Sequence, residues 1–356
     1  MKKLSVFFLA VIILFTGINI ADRETENLNL IRDDAVNAWG FIQMVLLKSE
    51  AYGSASYMDV YRLDNGVSVA RDVNENLNGL YEGVPSGKAL ADEIGAEFLF
   101  VAAPEKQREE DIPAGIVDFS ASKYDAAISY LSDLNVSFID MKSVFESMPG
   151  DWYSYFYKSD HHWNNEGAFV CAAEISEYIK DSGFNVCRDL TLNDFTIQKY
   201  DKTHLGSAGR FSGIYYGGVD DVSLYLPSFE TEFEVRYPSS DAVYEGDFET
   251  SMVRYEFLDG YSFSRYGHYA YLGEDCDRVE IKNRLFTDGA RVVMVKDSYA
   301  VPVAGFLSLN VSELDMIDLR YIDDSSAKSY IIEKDPDIII YLFEPASYGD
   351  AKNMVP

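Results

Sequence analysis

From about residue 93 the chain alternates short apolar runs with stretches of helical spacing. Glu97-Phe-Leu-Phe-Val-Ala-Ala103 is a continuous apolar run that stops at Pro104, the pattern of a strand buried on both faces. Tyr124 to Leu134 has helical spacing, and Val136-Ser-Phe-Ile-Asp140 reads as a second short strand. Glu166 to Lys180 predicts a helix, with Asn164 or Asn165 as its N-cap and Glu166 in its first turn. Arg291–Val295, Glu313–Ile317 and Asp337–Phe343 predict three further strands. A helical segment after Pro302 and a helix from about 325 separate them. Buried strands alternating with helices predict a mainly parallel, doubly wound sheet.

Two stretches depart from that pattern. Between about 186 and 290, Gly, Asp, Ser and Tyr dominate, and Phe233–Tyr237 and Val253–Phe257 alternate with period two. This predicts an antiparallel, β-rich insertion between the halves of the α/β core. Residues 22–92 are polar and irregular apart from Gly40–Leu47, and Gly-Val-Pro-Ser-Gly (83–87) precedes a helix-like stretch. We read 22–92 as a stalk and lead-in to a domain spanning 93–356. Residues 1–21 pair a basic start, Met1-Lys2-Lys3, with the uncharged and mostly apolar Leu4–Ile20. That run is long for a signal peptide and close to the roughly 20 residues that span a bilayer. No A-x-A cleavage site follows it. The expectation is a signal anchor with the rest of the chain on the extracytoplasmic face, or a secreted protein if the segment is cleaved.

The composition is globular, with 47% hydrophobic and 25% charged residues in 356. A formal net charge of −29 repels nucleic-acid phosphate and anionic lipid headgroups, and is silent on uncharged substrates such as sugars. The three cysteines form no framework; Cys171 reads as a small core residue, and Cys171–Cys187 is the one bridge considered.

Two short stretches carry chemistry. In Val292-Val-Met-Val-Lys-Asp-Ser-Tyr-Ala-Val-Pro302 a buried strand ends, Lys296-Asp297-Ser298 turns, and a helix begins. Ser298 thus lies at the carboxyl end of a parallel strand, where such sheets bind ligands and where a nucleophile and backbone N–H donors can meet. Ser159-Asp-His-His-Trp-Asn-Asn-Glu-Gly-Ala-Phe169 holds two of the four histidines in the chain. Read locally, this stretch is a general base beside its orienting acid, a metal site with Asp160, His161, His162 and the distant His204 as ligands, or a polar helix cap. Adjacent histidines point apart and rarely share one ion, whereas catalytic zinc motifs space them at i, i+2 or i, i+4.

Asp160-His161-His162-Trp163 resembles the signature of DHHW proteins, relatives of the SGNH-hydrolase-like acetyltransferases that O-acetylate alginate and other bacterial exopolysaccharides. The resemblance continues in Gly206-Ser-Ala-Gly-Arg210, Tyr269-Ala-Tyr-Leu-Gly273, Val295-Lys-Asp-Ser-Tyr-Ala300 and Asp318-Leu-Arg-Tyr321. It implies an SGNH-like three-layer α/β/α core and a triad of Ser298 as nucleophile, His162 as base and Asp160 as orienting acid. It also implies substrate or oxyanion contacts from Arg320, His161, Lys296 and Tyr299. No metal and no cofactor are implied. The glycine that usually precedes Asp-Ser in SGNH enzymes is Lys296 here. The implied function is O-acyl transfer to, or ester hydrolysis on, a cell-surface polysaccharide, with the acyl donor supplied through a membrane-bound O-acyltransferase. The competing reading is a non-catalytic polysaccharide-binding or assembly protein that works through Tyr215, Tyr216, Tyr261, Tyr266, Tyr269 and Tyr271.

Overall fold

A computed structural model describes residues 29–46, 50–52, 59–322 and 324–356. The chain enters through helix α1 (Asn29–Val45) and a small antiparallel sheet of β1 (Glu50–Tyr52), β2 (Asp59–Arg62) and β3 (Ser68–Ala70). Next come α2 (Asn78–Ile94), β4 (Glu97–Ala102), α3 (Ser120–Asp133), β5 (Ser137–Asp140), α4 (Met141–Ser147) and α5 (Asn165–Asp181). Strands β6 (Phe195–His204) and β7 (Asp220–Pro227) pair as a separate antiparallel ribbon, with the short α6 (Ser207–Ser212) between them. The chain continues through β8 (Phe233–Tyr237), β9 (Ala242–Gly246), β10 (Arg278–Asn283) and β11 (Arg291–Lys296). It ends with α7 (Ala300–Leu307), β12 (Glu313–Ile317), α8 (Asp324–Lys334) and β13 (Ile338–Phe343).

The main sheet has the order β5-β4-β13-β11-β12-β10-β8-β9. Its first five strands are parallel to one another, and the last three join antiparallel. Successive residues of the parallel strands feed opposite faces, as a pleated strand must. Val292 and Met294 of β11, with Ile338, Ile340 and Leu342 of β13, pack with Phe145, Ile175 and Leu307 from α4, α5 and α7. Val293 and Val295, with Ile339, Tyr341 and Phe343, pack with Val84, Leu131 and Ile331 from α2, α3 and α8. The result is the doubly wound sheet expected from the alternating pattern, inside the three-layer α/β/α core that the resemblance implies. The β-rich stretch divides its strands: β8, β9 and β10 extend the main sheet, and β6–β7 stands apart.

Some local expectations give way. The run 253–257 alternates like a strand, yet Val253 makes one isolated bridge to Tyr271 and Tyr255–Leu258 is a 3-10 turn. The guanidinium of Arg254 explains the break, because it turns back onto the carbonyls of Ser251 and Val253. Gly83–Gly87 reads as a helix breaker but is the middle of α2. Pro85 leaves the Tyr81 carbonyl without its helical donor, and the Tyr130 hydroxyl donates to it at 3.3 Å. Gly87 is there for close approach, since a Cβ would stand 2.5 Å from the Tyr341 ring. Residues 59–70, within the lead-in, are also ordered into the domain: Tyr61 is buried and donates to Asp118 at 2.9 Å. The Cys171–Cys187 bridge does not form; Cys171 is buried and Cys187 exposed. Residues 1–21 lie outside the described residues, among which no helix is long and apolar enough to cross a membrane.

Gly87→Ala tests the packing of α2. Alanine favours a helix by about 1 kcal/mol over glycine, but overpacking a filled core costs about 1–3 kcal/mol. We expect a net loss of stability in denaturant unfolding, and a gain would show that Tyr341 moves aside freely.

Candidate active site

The Asp-His-His stretch is the tip of a tight loop closed at its base. Phe156 and Trp163 form an antiparallel bridge, the Tyr157 N–H donates to the His162 carbonyl at 3.2 Å, and the Asn164 N–H donates to Tyr155 at 2.8 Å. Asn164, one of the two expected caps, starts α5 by accepting from the N–H groups of Glu166 and Gly167. The loop wraps around a buried ammonium. Lys106 Nζ donates to the carbonyls of Tyr157 and Lys158 at 3.0 Å and of Asp160 at 2.5 Å. Burial pushes its pKa down to about 8, against the pull of Asp220, Asp160 and Glu105. Asp220 accepts from the N–H and hydroxyl of Ser159, and the Trp163 indole donates to the Tyr299 carbonyl at 2.9 Å.

Ser298 lies in the turn between β11 and α7. The Asp297 carboxylate shapes that turn by accepting from the N–H groups of Tyr299 and Glu344 and from the Ser347 hydroxyl, which ties it to the end of β13. Across the gap, Ser298 Oγ is 2.7 Å from His162 Nε2, and His162 Nδ1 is 2.7 Å from Asp160 Oδ1. A carboxylate beside Nδ1 assigns the proton to that nitrogen and leaves Nε2 to accept from the serine. Burial, reinforced by the neighbouring His161, lowers the His162 pKa to about 4 despite Asp160, so the ring is neutral at pH 7. Burial works against the charge of Asp160, but His162, His161 and their hydrogen bonds outweigh it and hold the carboxyl ionised well below its usual range.

Asp160 is the centre of the arrangement, with none of its surface exposed. Its Oδ1 also accepts from the His162 N–H at 3.1 Å, and Oδ2 accepts from the Ser207 N–H at 3.0 Å. Gly206 makes that approach feasible, since a Cβ there would meet the Asp160 Cβ at 2.3 Å. All four histidines of the chain stand within 4 Å of this carboxylate. His161 Nδ1 lies 3.1 Å from Oδ1 and 2.9 Å from the Ser207 hydroxyl. Burial opposes its charge, and Asp160 more than offsets this, so its pKa is raised. His204 Nε2 lies 3.1 Å from Oδ2, at an angle that makes no hydrogen bond, and its Nδ1 accepts from the Gly267 N–H. His268 Nδ1 lies 3.9 Å from Oδ2, and its ring stacks on His162 at 4.1 Å.

His204, offered by the sequence only as a distant metal ligand, His268 and Lys106 also take part. The histidines did carry a signal. They lie beside the Gly206–Arg210 and Tyr269–Gly273 stretches that bear the family resemblance. Lys106, just after β4, carried none. The residues expected at substrate are placed unevenly. The side chain of His161 is 30% exposed. Tyr299 is fully buried, and its hydroxyl donates to the His161 carbonyl. Lys296 is buried, with its ammonium shared between Asp275 at 2.6 Å and Asp318 at 2.9 Å. Arg320 spends its guanidinium on the same two carboxylates. Both cations neutralise buried acids, so neither presents a free charge to substrate. Of the six tyrosines, Tyr216 and Tyr271 are core residues, because α6 and α7 pack over them; Tyr215 and Tyr261 are exposed.

Asp160, His162 and His268 offer ligand atoms within 4.8 Å of one another, the one such group among the described residues. His162 spends Nδ1 on Asp160 and Nε2 on Ser298, so the hydrogen bonds fit proton transfer better than metal binding. The fold and these contacts define an SGNH-hydrolase-like domain. The model of the family described as "SGNH hydrolase-like domain, acetyltransferase AlgX" matches residues 86–277, more than half of the chain, and the chain belongs to that family. The match takes in Asp160 and all four histidines and stops short of Ser298. The fold is similar to that of PatB1 from Bacillus cereus, with TM-score 0.66 and 19% identity over 83% of this chain and 99% of that one. PatB1 carrying a sulfonyl adduct gives TM-score 0.66 and 18% identity over 83% and 100%. A DHHW family protein from Eubacterium siraeum gives TM-score 0.62 and 17% identity over 86% and 98%. No curated protein sequence matches the chain.

Lys106→Met leaves three carbonyls facing an apolar side chain. We expect a loss of about 3 kcal/mol in denaturant unfolding, since an unpaired buried polar group costs about 1–3 kcal/mol. Unchanged stability would show that the loop closes without the ammonium.

Proposed function

We propose that the protein is a serine-dependent O-acyl transferase, of acetyl-transferring type, that acts on a cell-surface polysaccharide from the extracytoplasmic face of the membrane. The observation that carries this reading is the unbroken chain Ser298 Oγ–His162 Nε2, His162 Nδ1–Asp160 Oδ1, at 2.7 Å in each link. Membership of the SGNH hydrolase-like, AlgX-type family supports the acyl-transfer chemistry. The apolar segment 4–20 behind a lysine pair supports the location.

In the first half-reaction, His162 Nε2 takes the Ser298 proton as Oγ attacks the carbonyl carbon of an acyl donor. The carbonyl π pair moves onto oxygen. The Ser298 N–H, which has no hydrogen-bond acceptor among the described residues, is a donor at the place where that charge forms. Collapse breaks the bond to the leaving group, which takes the proton from Nε2, and acyl-Ser298 remains. In the second half-reaction, Nε2 deprotonates a sugar hydroxyl that attacks the acyl carbon, and the proton returns to Oγ. Water in place of the sugar would give an esterase. Asp160 stays ionised throughout and keeps the base in the correct tautomer. A membrane-bound O-acyltransferase would supply the acyl group across the bilayer.

A fluorophosphonate or sulfonyl fluoride probe should label Ser298. PatB1, one of the structural neighbours, has been solved with a sulfonyl adduct. Labelling should vanish in Ser298→Ala and fall at least about 10³-fold in His162→Ala, given what a nucleophile loses without its base. Because the base works as the neutral ring, labelling should stay flat from pH 7 to about 5 and fall as pH drops through about 4, below the ordinary histidine range. A folded wild-type protein that takes no label would overturn the covalent mechanism.

A further inference from the structure

In the reaction just proposed, His162 becomes an imidazolium inside a buried site, so what surrounds the ring matters more after proton transfer than before it. The groups facing it come from three parts of the chain. Asp160 and His161 belong to its own loop, with the His161 ring centroid at 3.9 Å. Ser298 and Tyr299 follow β11, with the Tyr299 ring at 4.9 Å. His268 comes from the segment before β10 and stacks at 4.1 Å with 29° between the planes. Asp275 acts at longer range.

His268 is unusual among these. It is 3% exposed, and neither ring nitrogen has a hydrogen-bond partner among the described residues. Buried polar nitrogens are normally paired, and a side chain kept for packing alone would be apolar. Its ring covers His162, and its Nδ1 lies 3.9 Å from Asp160 Oδ2, so it reaches both the base and the acid that orients it. Burial holds it neutral, with a pKa well below the usual histidine value, so it offers His162 a π face rather than a second positive charge. An aromatic face attracts an adjacent cation and leaves a neutral ring almost unaffected.

We propose that His268 is a positioning residue that stabilises the protonated form of His162 through the stacked ring. The inference rests on the proposed acyl-serine reading only for its use in turnover, since the contact itself belongs to the resting protein. The stacked contact sets the sign: without His268 the imidazolium is harder to form, and the His162 pKa falls.

Nitrogen-15 NMR of histidine-labelled full chain reads this directly, because only four rings have to be assigned. His268→Phe keeps a ring over His162 and removes both nitrogens. His268→Met removes ring and nitrogens, and its flexibility lets it fill the space; His268→Leu replaces it if that variant does not fold. The His162 protonation constant should fall about tenfold in the aliphatic variant and about threefold or less in His268→Phe, as expected for loss of a cation–π contact. An unchanged constant in the aliphatic variant would overturn the proposal. An equal fall in both variants would overturn the stacking role. The titration reads His162 whether or not Ser298 reacts, so a failure of probe labelling would refute the proposed chemistry without touching this result.

Discussion

Placing a negative charge out of reach of water is the demand that organises this molecule around residue 160. A buried, unpaired carboxylate is unaffordable in a folded protein unless donors surround it. Asp160 obtains them from places far apart in sequence, its own loop at His162 and the turn into α6 at Ser207, while the rings of His204 and His268, near the β6–β7 ribbon and β10, close the space around it. The β-rich stretch is thus more than an appendage to the α/β core. Its edges deliver the surroundings that let one acid stay ionised, and that ionised acid fixes which nitrogen of His162 faces Ser298.

The same economy explains how a loop and a turn that are 136 residues apart keep a 2.7 Å contact. Ser298 is positioned by the sheet: β11 brings it to the strand end, and Asp297 locks the turn onto the end of β13. His162 is positioned by the loop, which closes on the Lys106 ammonium just after β4, a strand of that sheet. Trp163 and Tyr299 then join the two assemblies, with the indole donating to the Tyr299 carbonyl and the Tyr299 hydroxyl to the His161 carbonyl. Tyr299 stands directly after Ser298, and both its ring and its hydroxyl are spent on this brace. Adjacent residues therefore divide the work: Ser298 and His162 meet across the gap, and Tyr299 and Trp163 brace the two assemblies.

What could be read from the sequence follows the range of the forces involved. The parallel strands were legible because both faces are buried, which writes a continuous apolar run such as Ile338–Phe343. The cap at Asn164 and the turn at Ser298 were legible because their chemistry is local. The α2 run 83–87 was not. Its proline is relieved by Tyr130 and its glycines are demanded by Tyr341 and Met354, all distant in sequence. Lys106 was illegible for a related reason: a lone lysine after a strand resembles any surface lysine until three carbonyls are brought around it. His204 and His268 were visible as rare residues, yet only the fold reveals that they share one carboxylate with His161 and His162.

Lys296 shows how a cation beside the turn at Ser298 can be absorbed. A lysine where SGNH enzymes usually carry glycine would place a cation next to the turn of Ser298. Here the charge is drawn away from Ser298 by Asp275 and Asp318, and Arg320 completes a network of two cations and two anions. Burial alone would lower the pKa of Lys296, but the two carboxylates overcome it and raise the value, while Asp275 is held down at about 2 despite its own burial. Breaking such a network by removing one charge is costly, on the order of 3–5 kcal/mol for a buried pair, because the partner is left uncompensated. The Asp318–Arg320 stretch and Lys296 are therefore tied to one another before they are tied to substrate. Two of the motifs that carry the resemblance are thus joined by electrostatics, while Ser298, His162 and Asp160 form a separate hydrogen-bonded chain.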